Sequence, residues 1–461
     1  MDKILRIITN TEYYKRMFLL NSMFYSFFFF TPKMGTVLTV LFSLWAAIIL
    51  LHSLVAKKIN FKKKKLWCLC LFLIAFGISM MCNFRTAFVD NTKSFIITVI
   101  LFFVIYFIED EEKEKKEKNF KVYMRIVMWY SFVMSLLTLL LYFANVSLAL
   151  YTDRYCGIYS NPIMSGLVGM CGMFVTIILG LEWKTLKART RVFYIAQIVL
   201  QFLIIALSNS RSAFICLLAF LIVLFVILEI NKKRNSILKH GIAMLLGIVI
   251  ISLGTSWIYD ISKSGLFKVN SFIYELRYST EGGSGKKPSK HGFLEQLVPT
   301  DAYELERTMA DESNNIRLNQ ILTGFEVFKK NPLVGASPRN SVSIALEIAE
   351  ENDMDVTGIE GGGFHNSYID ILASLGIVGF IAACIFVVCI FRVIVDGMTK
   401  IKDEPKKYIH LAVLLAIIVS TCVVFLFESL MVFKITPSTT FFWLVLGYLV
   451  SVSEGIVSKI D

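Results

Sequence analysis

One histidine, three arginines and one glutamate carry most of the chemistry this chain can offer. His365 stands directly before Asn366 and a long apolar run, so it opens a helix. A helix N-terminus carries partial positive charge, which keeps an imidazole neutral, and a neutral imidazole can accept a proton. The same position also suits a cap or an anchor at headgroup depth, and sequence position leaves both readings open. The other histidines differ: His52, His240 and His410 fall at cytoplasmic helix ends, and His291 lies in a flexible loop.

Arg211 is held in Ser208-Asn209-Ser210-Arg211-Ser212, a hairpin too short to let it leave one membrane face. A snorkelling anchor is the plain alternative there. Arg154, in Arg154-Tyr155-Cys156-Gly157-Ile158-Tyr159-Ser160-Asn161-Pro162, is confined in the same way, and Arg317 begins an amphipathic stretch. Three guanidinium groups on one face would suit a diphosphate, because each binds phosphate oxygens bidentately and stays charged. Glu428, at the outer end of an apolar run, adds an ionisable group where such groups are rare. No cluster of His, Asp or Cys points to a metal; Cys68-x-Cys70 is the wrong spacing for zinc, and no cysteine pair reads as a disulfide. Neither a metal nor a cofactor is expected.

Positioning these residues falls to a membrane scaffold. The 461 residues are 56% hydrophobic and only 18% charged, with a mean hydropathy of +0.66, too apolar for a soluble chain of this length. A spanning helix needs about 20 apolar residues. Such runs occur at 17–32, 35–55, 66–82, 92–108, 122–144, 161–181, 192–208, 211–229, 240–258, 366–391, 408–428 and 437–455. The expected fold is therefore all-α and polytopic, with about twelve transmembrane helices, since only internally bonded helices or closed barrels survive in hydrocarbon. The first run is interrupted by Asn21 and Ser22, yet no small-residue cleavage site follows it, so a removable leader is not expected.

Charge assigns the sides. Thirty of the 47 Lys and Arg fall in the segments read as cytoplasmic, six in short outer segments and 11 in one long outer segment. This is the positive-inside pattern, with both termini in the cytoplasm. The net charge of +12 is thus spread over membrane-proximal ends, which excludes a nucleic-acid patch and fits anionic lipid. The chain divides into helices over 1–258, a large outer loop over 259–365, and helices over 366–461. Within the loop, Leu318, Ile321, Leu322, Phe325 and Phe328 recur at helical spacing and predict an amphipathic helix over 312–330, stopped by Asn331-Pro332. Residues 281–289 read as a flexible linker. Gly361-Gly362-Gly363 serves either as a linker or as a place where backbone approaches a ligand closely.

In order along the chain, Arg154-x-x-Gly157-x-x-x-Asn161-Pro162, Ser210-Arg211-Ser212, Arg317 with Asn331-Pro332-Leu333-Val334-Gly335, and His365-Asn366-Ser367-Tyr368 with Leu375-Gly376-Ile377-Val378-Gly379 resemble the O-antigen ligase and polysaccharide polymerase superfamily of bacterial envelopes. The resemblance covers about 150–381 by motif and the earlier helices by topology alone. It implies a GT-C-like membrane glycosyltransferase working on the outer face of the cytoplasmic membrane, with metal-independent, inverting transfer from a sugar chain on undecaprenyl diphosphate. It further implies that His365 acts as base on the acceptor hydroxyl and that Arg211 and Arg317 hold the diphosphate. Arg154, Asn366, Tyr368 and Glu428 are placed on the substrate. A flippase and a chain-length regulator are the protein partners implied. Heavy use of Lys, Ile, Asn and Phe tilts the reading to a capsule or exopolysaccharide polymerase. A ligase with another acceptor, and a flippase or transporter, are the alternatives.

Overall fold

The computed structural model describes residues 6–27, 29–56, 59, 63–108, 113–143, 150–151, 154–230, 241–242, 244–257, 260–261 and 312–458. The linker 281–289, His240 and His291 lie outside them. Among the described residues, ten helices are long and apolar enough to cross a membrane. They account for ten of the twelve expected runs. The other two are shorter: the run at 17–32 is instead a helix over Thr11–Phe24, and that at 240–258 is Met244–Trp257. The first helix is displaced toward the N-terminus because Asn10 caps it, its side-chain oxygen accepting from the Glu12 and Tyr13 amides.

We number the helices α1 (Thr11–Phe24), α2 (Pro32–Val55), α3 (Lys64–Cys82), α4 (Phe88–Val99), α5 (Lys113–Phe143), α6 (Pro162–Gly180), α7 (Ala188–Ser208), α8 (Arg211–Ile230), α9 (Met244–Trp257), α10 (Glu312–Lys330), α11 (Pro338–Glu351), α12 (Ile359–Gly362), α13 (Ser367–Lys400), α14 (Pro405–Val424) and α15 (Pro437–Val457). A two-residue antiparallel ladder, Leu150–Tyr151 with Arg154–Tyr155, is the only sheet among the described residues. Large apolar side chains such as Leu44, Leu51, Val192 and Val388 stand exposed on these helices. In water that surface would drive association; in hydrocarbon it is simply solvated. The protein is a multi-pass membrane protein.

The chain forms two compact units. The first comprises Met1–Tyr25, Phe30–Tyr123 and Ala310–Asp461. Its interior is aromatic, with Phe102 against Trp443 at 4.8 Å and Tyr106 edge-on to Trp443 at 5.7 Å between ring centres. Phe102 and Tyr106 lie in Ile100–Phe107, a π-helical continuation of α4.

The central feature of this unit is a break in α13. Gly376 has φ +63° and ψ −166°, so the helix stops and restarts around it. In an unbroken helix the amides of Ile377 and Val378 would bond the carbonyls of Ala373 and Ser374. Here all four groups turn to the segment 332–337. Ile377 N–H donates to Pro332 O (2.9 Å) and Val378 N–H to Leu333 O (3.2 Å). Ala336 and Ser337 N–H donate to Ala373 O (2.9 Å) and Ser374 O (2.8 Å). The two short motifs Asn331–Gly335 and Leu375–Gly379 are therefore each other's partners. Their glycines allow the approach: a Cβ on Gly335 would lie 2.3 Å from Ser374 C, and one on Gly376 would lie 2.3 Å from Leu333 O. Ser79 Oγ of α3 adds a bond to Ser374 O (2.7 Å), and Asn83 Nδ2 one to Gly335 O (3.1 Å).

The second unit is Ser26–Phe29 with Met124–Met309. Gly166, Gly169 and Gly172 line one face of α6, where α7 packs closely: a Cβ on Gly169 would meet Ile205 at 3.0 Å, and one on Gly172 would meet Gln201 at 2.9 Å. Small residues are the usual means of close helix contact in lipid. Buried amides tie α7 to α5, with Ser135 Oγ donating to Gln201 Oε1 (3.0 Å) and Gln197 Nε2 to Ser131 Oγ (2.9 Å).

Gly376→Ala should destabilise the detergent-solubilised protein, since a side chain at that φ alone costs about 1–3 kcal/mol and the Cβ also meets Leu333 O. A melting temperature equal to that of the parent protein would show that the crossing is not tight.

Candidate functional site

The site is assembled where three segments of the first unit meet. α10 supplies Arg317, the turn before α13 supplies His365, and the connection from α14 to α15 supplies Glu428. The amphipathic helix expected over 312–330 is observed as α10, with these bounds. Gly324 brings it onto the start of α13: a Cβ there would lie 2.4 Å from Ile369 and 3.0 Å from Phe364. Two turns before that contact stands Arg317.

His365 is set by its neighbours. Its φ is +48°, a left-handed conformation that a non-glycine residue rarely holds. Phe364 is buried on one side, and its amide donates to Asp370 Oδ1 at 3.1 Å. On the other side Asn366 caps α13, its side-chain oxygen accepting from the amides of Tyr368 (3.0 Å) and Ile369 (3.1 Å). Gly363, before it, makes a close approach to protein: a Cβ would meet Asp370 Oδ1 at 2.8 Å and Ser429 Oγ at 3.0 Å.

Glu428 joins the two basic side chains. Its Oε1 lies 3.2 Å from Arg317 Nη2 and its Oε2 lies 3.3 Å from His365 Nδ1. The carboxylate side chain is 6% exposed, against 35% for Arg317 and 21% for His365. A buried acid is thus covered by two bases that still reach the outside, and the hydrogen bonds to both carboxylate oxygens offset its desolvation. Ser367 anchors the Glu428 segment: its hydroxyl donates to Glu428 O (2.8 Å) and accepts from the amides of Leu430 (2.9 Å) and Met431 (3.1 Å). Trp443 Nε1 holds Met431 O from α15 at 2.9 Å.

Three of the residues singled out from sequence, His365, Arg317 and Glu428, are therefore brought together. Asn366 and Tyr368 adjoin them, with their polar groups engaged structurally: Asn366 as the cap, and Tyr368 through its hydroxyl, which donates to Cys422 O at 2.9 Å. Arg211 and Arg154 belong to the second unit. Arg211 is the exposed first residue of α8. It follows Asn209 in the left-handed region (φ +46°) and Ser210, whose Cβ would lie 2.4 Å from a Cβ on Gly166. Arg154 opens the second strand of the small ladder, and the Asn161-Pro162 that ends its motif caps and starts α6, Asn161 Oδ1 accepting from Met164 N at 2.9 Å.

Sequence reasoning missed two charged neighbours. Asp370 lies one turn into α13. Lys434 donates to Gly361 O at 3.0 Å; burial pushes its ammonium below the usual lysine range, against the pull of the Asp370 and Glu428 carboxylates. An acid one turn after His365, and a lysine between Phe433 and Ile435, were the signals present. No group of three or more His, Cys, Asp or Glu among the described residues could hold a metal ion.

An imidazole with Nδ1 held on a carboxylate has Nε2 available as a proton acceptor, and a neighbouring guanidinium can hold an anion. Residues 196–384 match a family model described as O-antigen ligase, a stretch that includes Arg211, Arg317 and His365. No curated protein matches the chain.

Glu428→Ala should lower stability by about 1–3 kcal/mol, the typical effect of removing the partner of buried hydrogen-bonding groups. Chemical unfolding of the purified protein measures it, and an unaltered midpoint would show that Glu428 does not tie α10 to the α13 turn.

Proposed function

With residues 196–384 in the O-antigen ligase family as premise, we propose that this chain polymerises oligosaccharide repeat units carried on undecaprenyl diphosphate, at the outer face of the cytoplasmic membrane. The observation that carries the reading is the Arg317–Glu428–His365 cluster, which sets a proton acceptor beside an anion-binding cation.

In the proposed reaction an acceptor sugar hydroxyl attacks the anomeric carbon of the donor. Its oxygen forms the new glycosidic bond while the bond from that carbon to the diphosphate breaks, and the electron pair leaves on the diphosphate. The hydroxyl proton passes to His365 Nε2. Attack opposite the leaving group inverts the anomeric centre. Glu428 acts as a positioning residue, fixing the tautomer with hydrogen on Nδ1 and stabilising the imidazolium once it forms. Arg317 meets the negative charge that develops on the leaving group; fixed donors aimed at developing charge are the largest single contribution in many enzymes. Arg211 keeps the role that the resemblance implies, a further guanidinium for the diphosphate, with Arg154 in support. Asn366 and Tyr368 shape the turn that presents His365.

His365→Ala should reduce transfer by about 10²–10⁴-fold, the usual worth of a general base, while the protein still inserts and binds lipid-linked donor. Polymer at the parent's level from that variant would remove His365 as the base. Arg317→Lys and Arg211→Lys should both impair transfer, because a point charge does not reproduce bidentate phosphate contacts; turnover unchanged in either would reduce that arginine to a structural or anchoring role.

A purified preparation given one lipid-linked repeat unit as sole substrate should produce a ladder of products. Silence until a different acceptor is added would identify a ligase instead. The ladder should survive chelation, and loss of product restored by a divalent ion would contradict metal-free transfer.

A further inference from the structure

A cavity of about 320 Å³ opens beside the charged cluster, at the lower end of the roughly 300–1,000 Å³ range of small-ligand sites. His365 and Glu428 do not line it, but Gly363 and Ser429 do, so one wall of the cavity is continuous with the turn that presents His365 and with the segment that presents Glu428. Its lining holds three acids, Asp90, Glu360 and Asp370, and three bases, Lys93, Arg339 and Lys434. Lys93 pairs with Asp90 at 3.0 Å. Arg339 Nη1 donates to Glu360 O at 2.9 Å, leaving the rest of its guanidinium fork for other acceptors. Ser429 is 5% exposed, and its hydroxyl stands beside the Asp370 carboxylate. Val342 and Phe433 give the cavity an apolar side.

This balance selects the chemistry of the occupant. A small anion would face three carboxylates, and a small cation would face three bases, so neither gains a net field. A sugar ring suits both signs at once, because each hydroxyl donates to a carboxylate and accepts from an ammonium or guanidinium. Its C–H face covers apolar side chains. The buried Ser429 hydroxyl, which stands beside Asp370, then shares a sugar hydroxyl with that carboxylate.

We propose that this cavity is a glycan subsite that seats a neutral, hydroxyl-rich sugar of the acceptor, and that Arg339, Lys434 and Ser429 determine which sugar fits. The assignment to the acceptor rests on the glycosyl-transfer reading above. The binding of a sugar there does not. A sugar held against the Gly363–Ser429 wall rests on chain that adjoins His365 and Glu428 in sequence, while the donor's diphosphate is left to the arginines.

The test uses the full-length protein in detergent and two probes: the glycan released by mild acid from the cell's own lipid-linked repeat units, and undecaprenyl diphosphate without sugar. Binding of each is measured for the parent protein, Arg339→Ala, Lys434→Met and Ser429→Ala, and only variants that elute as the parent does are compared. The parent should bind the released glycan. Arg339→Ala and Lys434→Met should each weaken that binding by at least about tenfold, the effect of one hydrogen bond to a charged group, with undecaprenyl diphosphate bound as before. Ser429→Ala, the smallest change, decides the matter if either larger one fails to fold. Absence of glycan binding by the parent overturns the proposal, as does equal glycan binding by folded variants. A parallel loss of both probes also overturns it, because the cavity would then belong to the diphosphate region. Glycan binding that the variants weaken, in a protein that forms no polymer, would uphold the subsite and refute the polymerase reading.

Discussion

The arrangement of the first unit depends on four backbone groups in the middle of α13. A helix broken within a membrane protein exposes amides and carbonyls that hydrocarbon cannot satisfy, each at a penalty of several kcal/mol. Here the break at Gly376 leaves two donors and two acceptors, and the segment from Pro332 to Ser337 supplies a partner for each. That segment is the connection between α10 and α11, so completing the broken helix also fixes where both helices cross it. Irregular backbone is tolerated at such a place because its polar groups are paired, with Gly335–Ser337 and Ala373–Gly376 buried and Pro332 and Leu333 left exposed.

From that crossing the charged cluster follows. α10 leaves the crossing, passes Phe364 and Ile369 at Gly324, and brings Arg317 to Glu428. The turn into α13 is pulled into a left-handed conformation at His365 by three holds: the cap at Asn366, the buried Phe364 and the Asp370 carboxylate on the Phe364 amide. Ser367 then bonds the Glu428 segment on both its carbonyl and its amide side. The imidazole and carboxylate are held from separate stretches of chain, each by hydrogen bonds of its own. This is how a functional group is made rigid: its own conformation is strained, and the surroundings over-determine it.

A common physical logic runs through the short motifs. Asn161-Pro162, Asn366-Ser367 and Thr436-Pro437 all start helices, each with a side-chain oxygen on the first free amides. The glycines of Asn331–Gly335 and Leu375–Gly379 allow two backbones to touch, and those of α6 do the same for two helices. Motif residues around the cluster thus act chiefly on position. The chemistry is left to His365, Glu428 and the arginines, and the polar cavity lined by Gly363 and Ser429 adds a recognition surface to it.

Much of the architecture was legible along the chain. Ten apolar runs correspond to ten long apolar helices, because burial in hydrocarbon demands length and apolarity that composition displays directly. The amphipathic helix over Glu312–Lys330 was legible for a similar reason, its apolar residues recurring at the helical period. The first helix was misplaced because its start is decided by the Asn10 cap and not by hydropathy. His365, Arg317 and Glu428 could be selected as unusual residues at helix ends, yet their pairing could not, since 48 residues separate the first two and 63 separate His365 from Glu428. Sequence by itself determined ten segments apolar and long enough to span a membrane and marked His365, Arg317 and Glu428 as unusual at helix ends, because both are properties of local composition. Tertiary structure alone decided that one carboxylate serves two bases, that two short motifs complete each other across a broken helix, and that Lys434 and Asp370 face one cavity, because each is a contact between distant segments fixed by the need to satisfy buried polar groups.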